Sequence, residues 1–141
     1  MATYNKFQSF VDDLSKGVHN FTTSTGNVLK VVLTNTAPVA TNTIISNITQ
    51  IASGNGYTTG GATTTQTLTN TTGTEKLVCT NVVWTASAGT MGPFRYAVLY
   101  NSTPANGNLI SWWDYGSSVT LNPTETFTVS FDAVNGVWQL A

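Results

Sequence analysis

The stretch GPFRYAVLY (Gly92–Tyr100), followed after a loop by LISWWDY (Leu109–Tyr115), decides the fold class of this chain. Both segments are rich in aromatic and β-branched residues, and the loop between them contains Pro, Asn and Gly, which is typical of two strands joined as a hairpin. If the last residue of the first segment pairs with the first residue of the second, Arg95 lies directly opposite Asp114. Cross-strand neighbours lie roughly 5 Å apart at Cβ, so the sequence predicts an ion pair here.

The hairpin also concentrates the side chains that are most typical of protein interfaces. It contains the only arginine, two of the four tryptophans and three of the five tyrosines. Strict alternation places Trp112 on the face of Arg95, and Trp113 on the opposite face with Tyr96. One face must cover the core, and the other is too aromatic for ordinary solvent-exposed surface. Because Tyr, Trp and Arg are enriched in interface hot spots, we expect an interface among seven residues: Phe94, Arg95, Tyr96, Trp112, Trp113, Asp114 and Tyr115.

Two other interpretations of the hairpin stay open. Both faces can be internal, one against each layer of a small sandwich. Alternatively, Trp112 or Trp113 forms a sugar-stacking platform with Tyr115, and the chain is a glycan-binding β-sandwich module of a tail or adhesin. Alternation alone does not decide which tryptophan is exposed.

The composition is that of one packed domain, residues 1–141, with an unusually uncharged surface. Hydrophobic residues make up 40 % and charged residues only 8 %, compared with about 25 % charged residues in ordinary soluble domains. The net charge is −1 and the five basic residues are scattered, which disfavours nucleic-acid binding. Near-zero net charge favours association, so an assembled protein fits better than a solitary domain.

The N-terminal sequence predicts a protein that folds in a cytosol and does not enter a membrane. It lacks the basic start and continuous apolar run of a signal peptide. No stretch approaches the roughly 18 apolar residues of a membrane span. The lone Cys79 excludes an intrachain disulfide and a multi-cysteine zinc site.

One helix is expected, at the start of the chain. The residues Phe7, Phe10, Val11 and Leu14 follow the i, i+3, i+4, i+7 rule, which predicts an amphipathic helix over Thr3–Lys16 with a C-cap at Gly17. A second segment, Ala37–Ala52, has isoleucines at helical spacing but poor helix formers around them, so we expect no more than a short helix or helical turn.

The remainder, residues 28–140, is expected to be β-structure. The predicted strands are Val28–Thr34, covered on both faces; Ala62–Thr71, at an edge; Lys76–Thr85, with Trp84 in the core; Thr126–Phe131, half-buried; and Val137–Leu140. Asn135-Gly136 is a strong hairpin signal and is expected to join the last two. Short strands with regular turns predict a mostly β protein, an antiparallel β-sandwich or jelly roll with one short N-terminal helix.

The chain offers little that could support catalysis or metal binding. His19 is the only histidine, and because it follows the first helix it is expected to be a surface or helix-terminus residue rather than a catalytic base. Cys79 lies in an apolar strand, where a buried structural thiol is expected rather than a nucleophile. No pair of acidic residues is brought together by its spacing. We therefore expect no enzyme activity, no cofactor and no metal.

Five blocks of sequence, taken in order, resemble a family of small virion proteins from tailed bacteriophages. They are YNKFQSFVDDLSKGVHNF, LKVVLTNTAPV, IASGNGYTTGG, GPFRYAVLYN and LISWWDYGSSVTL, and they cover nearly the whole chain. The resemblance implies a capsid decoration or cement protein, a β-sandwich or jelly roll that sits on the outer capsid surface as a dimer or trimer. Its partner would be the major capsid protein, and its place of synthesis the host cytoplasm.

Overall fold

Ten antiparallel strands and one α-helix form the chain in this computed structural model, which describes residues 2–141. The mostly β, sandwich-like fold predicted from the sequence is confirmed. The strands are β1 (Thr3–Lys6), β2 (Leu29–Thr34), β3 (Ala62–Thr64), β4 (Gln66–Thr71), β5 (Thr74–Cys79), β6 (Val82–Thr85), β7 (Met91–Asn101), β8 (Asn108–Leu121), β9 (Thr126–Val129) and β10 (Trp138–Leu140). Helix α1 is Ser9–Ser15, and a 3-10 turn spans Ile45–Asn47.

The first layer is a five-stranded sheet in the order β1-β8-β7-β2-β3, built around the predicted hairpin. Strands β7 and β8 are that hairpin, and β2 pairs along β7 from Leu29 to Thr34. Val31, Val32 and Leu33 are fully buried, so the prediction of a strand covered on both faces is correct. An apolar run of this kind has no solvent face and belongs at the centre of a sheet.

The second layer is a ribbon that breaks in the middle into two sheets, β10-β5-β4 and β6-β9. The predicted single strand Lys76–Thr85 is therefore wrong, since it covers most of β5, all of β6 and the break between them. The break is bridged by side chains: the amide of Phe131 donates to Oδ1 of Asn81 at 3.0 Å, and the amide of Thr65 donates to Oγ1 of Thr80, also at 3.0 Å. The predicted edge strand, residues 62–71, breaks at the same level into β3 and β4, and both halves lie at sheet edges.

The main core lies between the two layers. Trp84 is 4 % exposed, as predicted, and packs with Leu77 and Cys79 of the same layer against residues of the first sheet. The first-sheet residues of this core are Leu29, Val31, Leu33, Met91, Phe94, Ala97, Leu99, Ile110 and Leu121.

A smaller core covers the other face of the first sheet. It contains Val32, Val98 and Leu109 of the sheet and Ile48 of the segment that crosses it. This segment is the predicted helical turn, and it forms only the three-residue 3-10 turn before its backbone bridges back to β2 at Thr34. The centre of the hairpin is thus internal on both faces.

The N-terminal helix is half as long as predicted. Residues 3–6 form β1, which pairs with β8, and the helix begins only at Ser9. Phe7 belongs to the smaller core and Phe10 to the main core. The predicted helical segment, residues 3–16, therefore spans a strand, a turn and a helix. Pairing along β8 satisfies the backbone of the first residues better than a helix end would.

The predicted hairpin at Asn135-Gly136 is also wrong. The two residues do form a turn, in which the carboxylate of Asp132 accepts hydrogen bonds from the amides of Val134 and Asn135. Gly136 has φ 76°, and a Cβ there would collide with the carbonyl oxygen of Leu77. However, β9 pairs with β6 and β10 with β5, so the turn connects two strands of different sheets and does not fold one strand back on the other.

Candidate functional site

A β-bulge in the hairpin shifts its register by one residue. The predicted first pair, Tyr100 with Leu109, forms as expected, but Leu99 then pairs with Ser111. Strand β8 therefore carries one extra residue at this point, as bulged strands do. Beyond the bulge, Asp114 lies opposite Tyr96. The predicted direct pairing of Asp114 with the residue before Tyr96 is wrong by one position.

The bulge also exchanges the faces of the two tryptophans. Trp112 joins the smaller core, where it is 8 % exposed and its ring centre lies 4.4 Å from that of Phe7. Trp113 instead packs at the margin of the main core. The predicted assignment of each tryptophan to a face is therefore wrong, because a single inserted residue inverts every side chain after it.

Arg95 and Asp114 nevertheless form the predicted ion pair. Nε of Arg95 donates to Oδ1 of Asp114 at 2.7 Å, and Nη2 donates to Oδ2 at 2.9 Å. The guanidinium carbon lies 5.3 Å from the ring centre of Tyr96, a cation–π distance. The pair is half-exposed, with 38 % of the Arg95 side chain and 27 % of the Asp114 side chain accessible.

The protonation of this pair is set by its hydrogen bonds. Those from Arg95 hold the pKa of Asp114 below its usual value, and the amide of Gly116, at 2.8 Å from Oδ1, lowers that pKa further. The hydrogen bonds that Arg95 donates to Asp114 raise the pKa of Arg95. Both groups are therefore charged at neutral pH, and each neutralises the other.

The seven candidate interface residues fall into three classes of exposure. Phe94 is 1 % exposed and lies in the main core, and Trp112 is buried in the smaller one, so neither can contact a partner from this conformation. Tyr115 is 54 % exposed. The others are half-buried at the surface. We define the hairpin patch as Arg95, Tyr96, Trp113, Asp114 and Tyr115.

A small cavity of about 170 Å³ opens beside the hairpin patch, between the hairpin and β9. Its aromatic walls hold one another in edge-to-face contact, with ring centres 5.6 Å apart for Tyr115 and Phe127 and 4.8 Å apart for Phe94 and Phe127. The cavity is also lined by Ala2, Arg95, Tyr96, Ala97, Trp113, Thr128, Val129 and Ser130. It is an apolar recess with a fixed charge pair at its side.

Two larger cavities, of about 510 and 440 Å³, continue from there between β1 and β10. Both are lined by Tyr4 and Trp138, and Trp113 and Phe131 line the first. We call these two cavities the seam groove. The indole N–H of Trp138 is buried and, within the described residues 2–141, has no hydrogen-bond partner.

Sequence reasoning missed the seam groove. The helix predicted over Thr3–Lys16 includes Tyr4, although the alternation in TYNK is compatible with a strand. Trp138 was assigned to a hairpin, although its strand pairs elsewhere. The groove arises from the way the two layers end, which no local pattern encodes.

His19 is buried, so a surface position is wrong, and it lies three residues beyond the helix C-cap Lys16. Nδ1 accepts a hydrogen bond from Nδ2 of Asn101 at 3.1 Å, and the ring packs against Phe10 and Phe21 at 5.5 and 5.4 Å. Nε2 has no hydrogen-bond partner in the described part of the chain and lies 3.9 Å from Oδ2 of Asp13. Burial lowers the pKa of His19, and the nearby Asp13 carboxylate partly opposes this.

The remaining reactive groups form no cluster in the structure. Cys79 is 3 % exposed, as predicted for a structural thiol, and its burial raises its pKa to about 12. Among residues 2–141, no three His, Cys, Asp or Glu side chains come together in a way that could hold a metal ion. Over the same residues, no helix has the length and apolar character needed to cross a membrane.

Comparison of the chain with protein-family models, with curated proteins and with solved structures finds no match. The surface chemistry of the hairpin patch and the seam groove is therefore the basis for assigning a function. Both surfaces are suited to holding another molecule by shape and apolar contact.

Proposed function

We propose that the chain is a non-enzymatic structural protein of a virion, a capsid decoration or cement protein. It binds the major capsid protein on the outer surface of the shell, as a small oligomer, and stabilises the contacts between neighbouring subunits. The observation that carries this proposal is the hairpin patch, which presents Trp113, Tyr115 and an arginine together at the surface. These are the residue types that dominate binding energy in protein interfaces.

The patch is well prepared for binding. Trp113 makes edge-to-face contacts with Tyr4 and Phe131 at 5.6 and 5.4 Å, and Tyr115 makes one with Phe127. Rings held in place lose little conformational freedom when a partner docks, which leaves more of the contact energy as affinity. Because Arg95 is already paired with Asp114, docking also avoids the cost of burying an isolated charge.

The sequence supports the same role. The five blocks that resemble phage virion proteins include both strands of the hairpin that carries the patch. The low fraction of charged residues, 8 %, fits a surface that is largely buried against neighbouring subunits in an assembly. Both faces of the hairpin centre are packed against cores, so the patch stands on a rigid support, as a clamp between subunits requires.

The test is co-sedimentation of the purified protein with particles assembled without it. We expect saturable binding, and a loss of affinity of at least about tenfold for Trp113→Ala, since removing a hot-spot ring costs on the order of 2 kcal/mol or more. Val83→Ala is the matched control, because Val83 is also apolar and is 55 % exposed on another strand. It should bind like the native chain.

Two results would overturn the proposal: no sedimentation with the particles, or equal losses for the two variants. The glycan-binding alternative has only Trp113 and Tyr115 left for its platform, since Trp112 is buried. Quenching of tryptophan fluorescence by cell-surface polysaccharide, abolished by Trp113→Ala and without particle binding, would favour that alternative.

A further inference from the structure

Among residues 2–141, the sandwich is open along one side, where two strand edges have no neighbouring strand. Strand β1 ends the five-stranded sheet and β10 ends one sheet of the second layer. The seam groove lies between these two edges. A free edge presents unpaired backbone N–H and C=O groups and is a template for another strand.

The register shows which backbone groups of β1 point into the open. The amide of Phe7 donates to the carbonyl oxygen of Ile110, which makes this a hydrogen-bonded pair. Such pairs alternate along antiparallel strands, so Asn5 also faces β8. Tyr4 and Lys6 therefore direct their backbone groups outward, to the free edge.

The walls of the groove define the side chains that it can accept. Tyr4 is 41 % exposed and, with Trp138, lines both cavities, so the floor is aromatic. The indole N–H of Trp138 is buried and has no hydrogen-bond partner among residues 2–141. Lys6 stands at one end without an ion-pair partner among residues 2–141. Asp132 lines the larger of the two cavities, and its carboxylate already accepts hydrogen bonds from the backbone amides of Val134 and Asn135.

We propose that the seam groove binds an extended segment of the partner protein, which adds as a strand to the free edge of β1. The segment is about four to six residues long, because it pairs with the four residues of β1 and can extend slightly past each end. At about 3.3 Å per residue, both strands then cover the same length. Every second side chain is apolar and enters the groove, and an acidic residue passes Lys6. Backbone pairing supplies affinity and the alternate side chains supply specificity, as in other cases of strand addition.

An extended peptide explains more of the groove than a sugar does. A sugar ring can stack on Tyr4 or Trp138, but it cannot pair with the outward amide and carbonyl groups of Tyr4 and Lys6 at strand spacing. The inference rests on the proposed function in one respect, that the segment belongs to the shell protein to which the chain binds.

The test is a selection of linear dodecapeptides from a random displayed library against the full chain. We expect enrichment of peptides with alternating apolar residues and one acidic residue. Lys6→Pro removes an outward N–H and leaves the hydrogen bonds to β8 in place, so it should weaken binding of the enriched peptides by at least about tenfold. The matched control, Lys6→Ala, shortens the side chain and removes its charge but keeps the backbone N–H, so it should weaken binding less.

A second variant covers the case in which Lys6→Pro fails to fold, which melting followed by circular dichroism would show. Tyr4→Glu places a charge in the groove at a half-exposed position and should also abolish peptide binding. No enrichment, or peptides that ignore these variants, would overturn the inference. So would a native dimer that Lys6→Pro converts to monomer, since a second copy would then fill the groove.

The two proposals can fail separately. If particles still bind in a way that depends on Trp113 while no peptide binds the groove, only the strand-addition inference is lost. If peptides bind the groove but particles do not sediment with the chain, only the assignment to a virion shell is lost.

Discussion

Arg95 and Asp114 show how a charge pair can be specified in a chain that has few charges. The carboxylate accepts three hydrogen bonds, two from the guanidinium and one from the amide of Gly116. These bonds cross from β7 to the far side of a register shift in β8. The pair therefore fixes the irregular end of the hairpin, next to the exposed rings of the hairpin patch.

Asp114→Asn tests this role. We expect a small fall in melting temperature at pH 7, a few degrees at most, because exposed pairs contribute little to stability. Since the pKa of Asp114 is lowered in the folded state, the stabilisation is present above the unfolded value, about 3.9, and is lost as the pH falls through the folded value. The difference between the variant and the native chain should therefore vanish in strong acid.

The double substitution Arg95→Gln with Asp114→Asn is the control for this prediction. If the two groups act as a pair, it should melt close to the Asp114→Asn variant. A much lower melting temperature for either variant would contradict a half-exposed pair and indicate one that is effectively buried.

His19 predicts a second pH dependence, at a higher pH. Its folded pKa is lowered by burial, so the unfolded chain binds more protons as the pH falls below about 6.5. Stability should then decrease from that pH downward, until the folded state also takes up the proton. Protonation would also place a donor on Nδ1, facing the donor Nδ2 of Asn101.

The measurement is the free energy of unfolding in denaturant between about pH 8 and pH 5. His19→Gln should be less stable than the native chain at pH 8 and should lose less stability on acidification. Parallel curves for the two proteins would show that His19 does not titrate differently in the folded and unfolded states. Asp13 is the charged group that faces the ring, at 3.9 Å, and it limits the size of the effect.

The β7–β8 hairpin could be predicted from the sequence, but its bulge could not. The two strands, their first pair and the ion pair follow from alternation and from the scarcity of charges, whereas the continuation of β8 from Tyr115 to Leu121 does not. In LISWW, however, apolar residues occupy both parities, so the sequence is compatible with either tryptophan facing inward. The choice is made by two cores on opposite faces of the sheet, which a pattern within one strand does not describe.

Helix α1 and strand β1 show a related limit. The spacing of Phe7, Phe10 and Leu14 is helical, but the first belongs to one core and the second to the other. A strand followed by a turn and a short helix can produce the same spacing. Pairing of β1 with β8 overrides the local helical preference. For this reason the sequence did not indicate that Tyr4 lines the seam groove.

The architecture of the whole molecule explains where its binding surfaces lie. The second layer breaks into two sheets, and its outer strands, β9 and β10, leave an opening beside β1 and β8. Candidate residues on the hairpin could be named from the sequence because aromatic residues concentrate there. Three further aromatic residues line these cavities: Phe127, Phe131 and Trp138. Their positions depend on how the two layers pack together, which no local sequence pattern indicates.

The low charge of the chain leads to a prediction about its binding to the proposed shell. With a net charge of −1, 8 % charged residues and its surface arginine already paired, association should depend on shape and apolar contact rather than on charge. Affinity for particles assembled without the protein should change by less than about twofold between about 50 and 500 mM NaCl, although screening shortens the Debye length severalfold over that range. Sedimentation at each salt concentration measures this. A steep decline in affinity with increasing salt would mean that the scattered lysines make the contact. The hairpin patch would then not be the main binding surface.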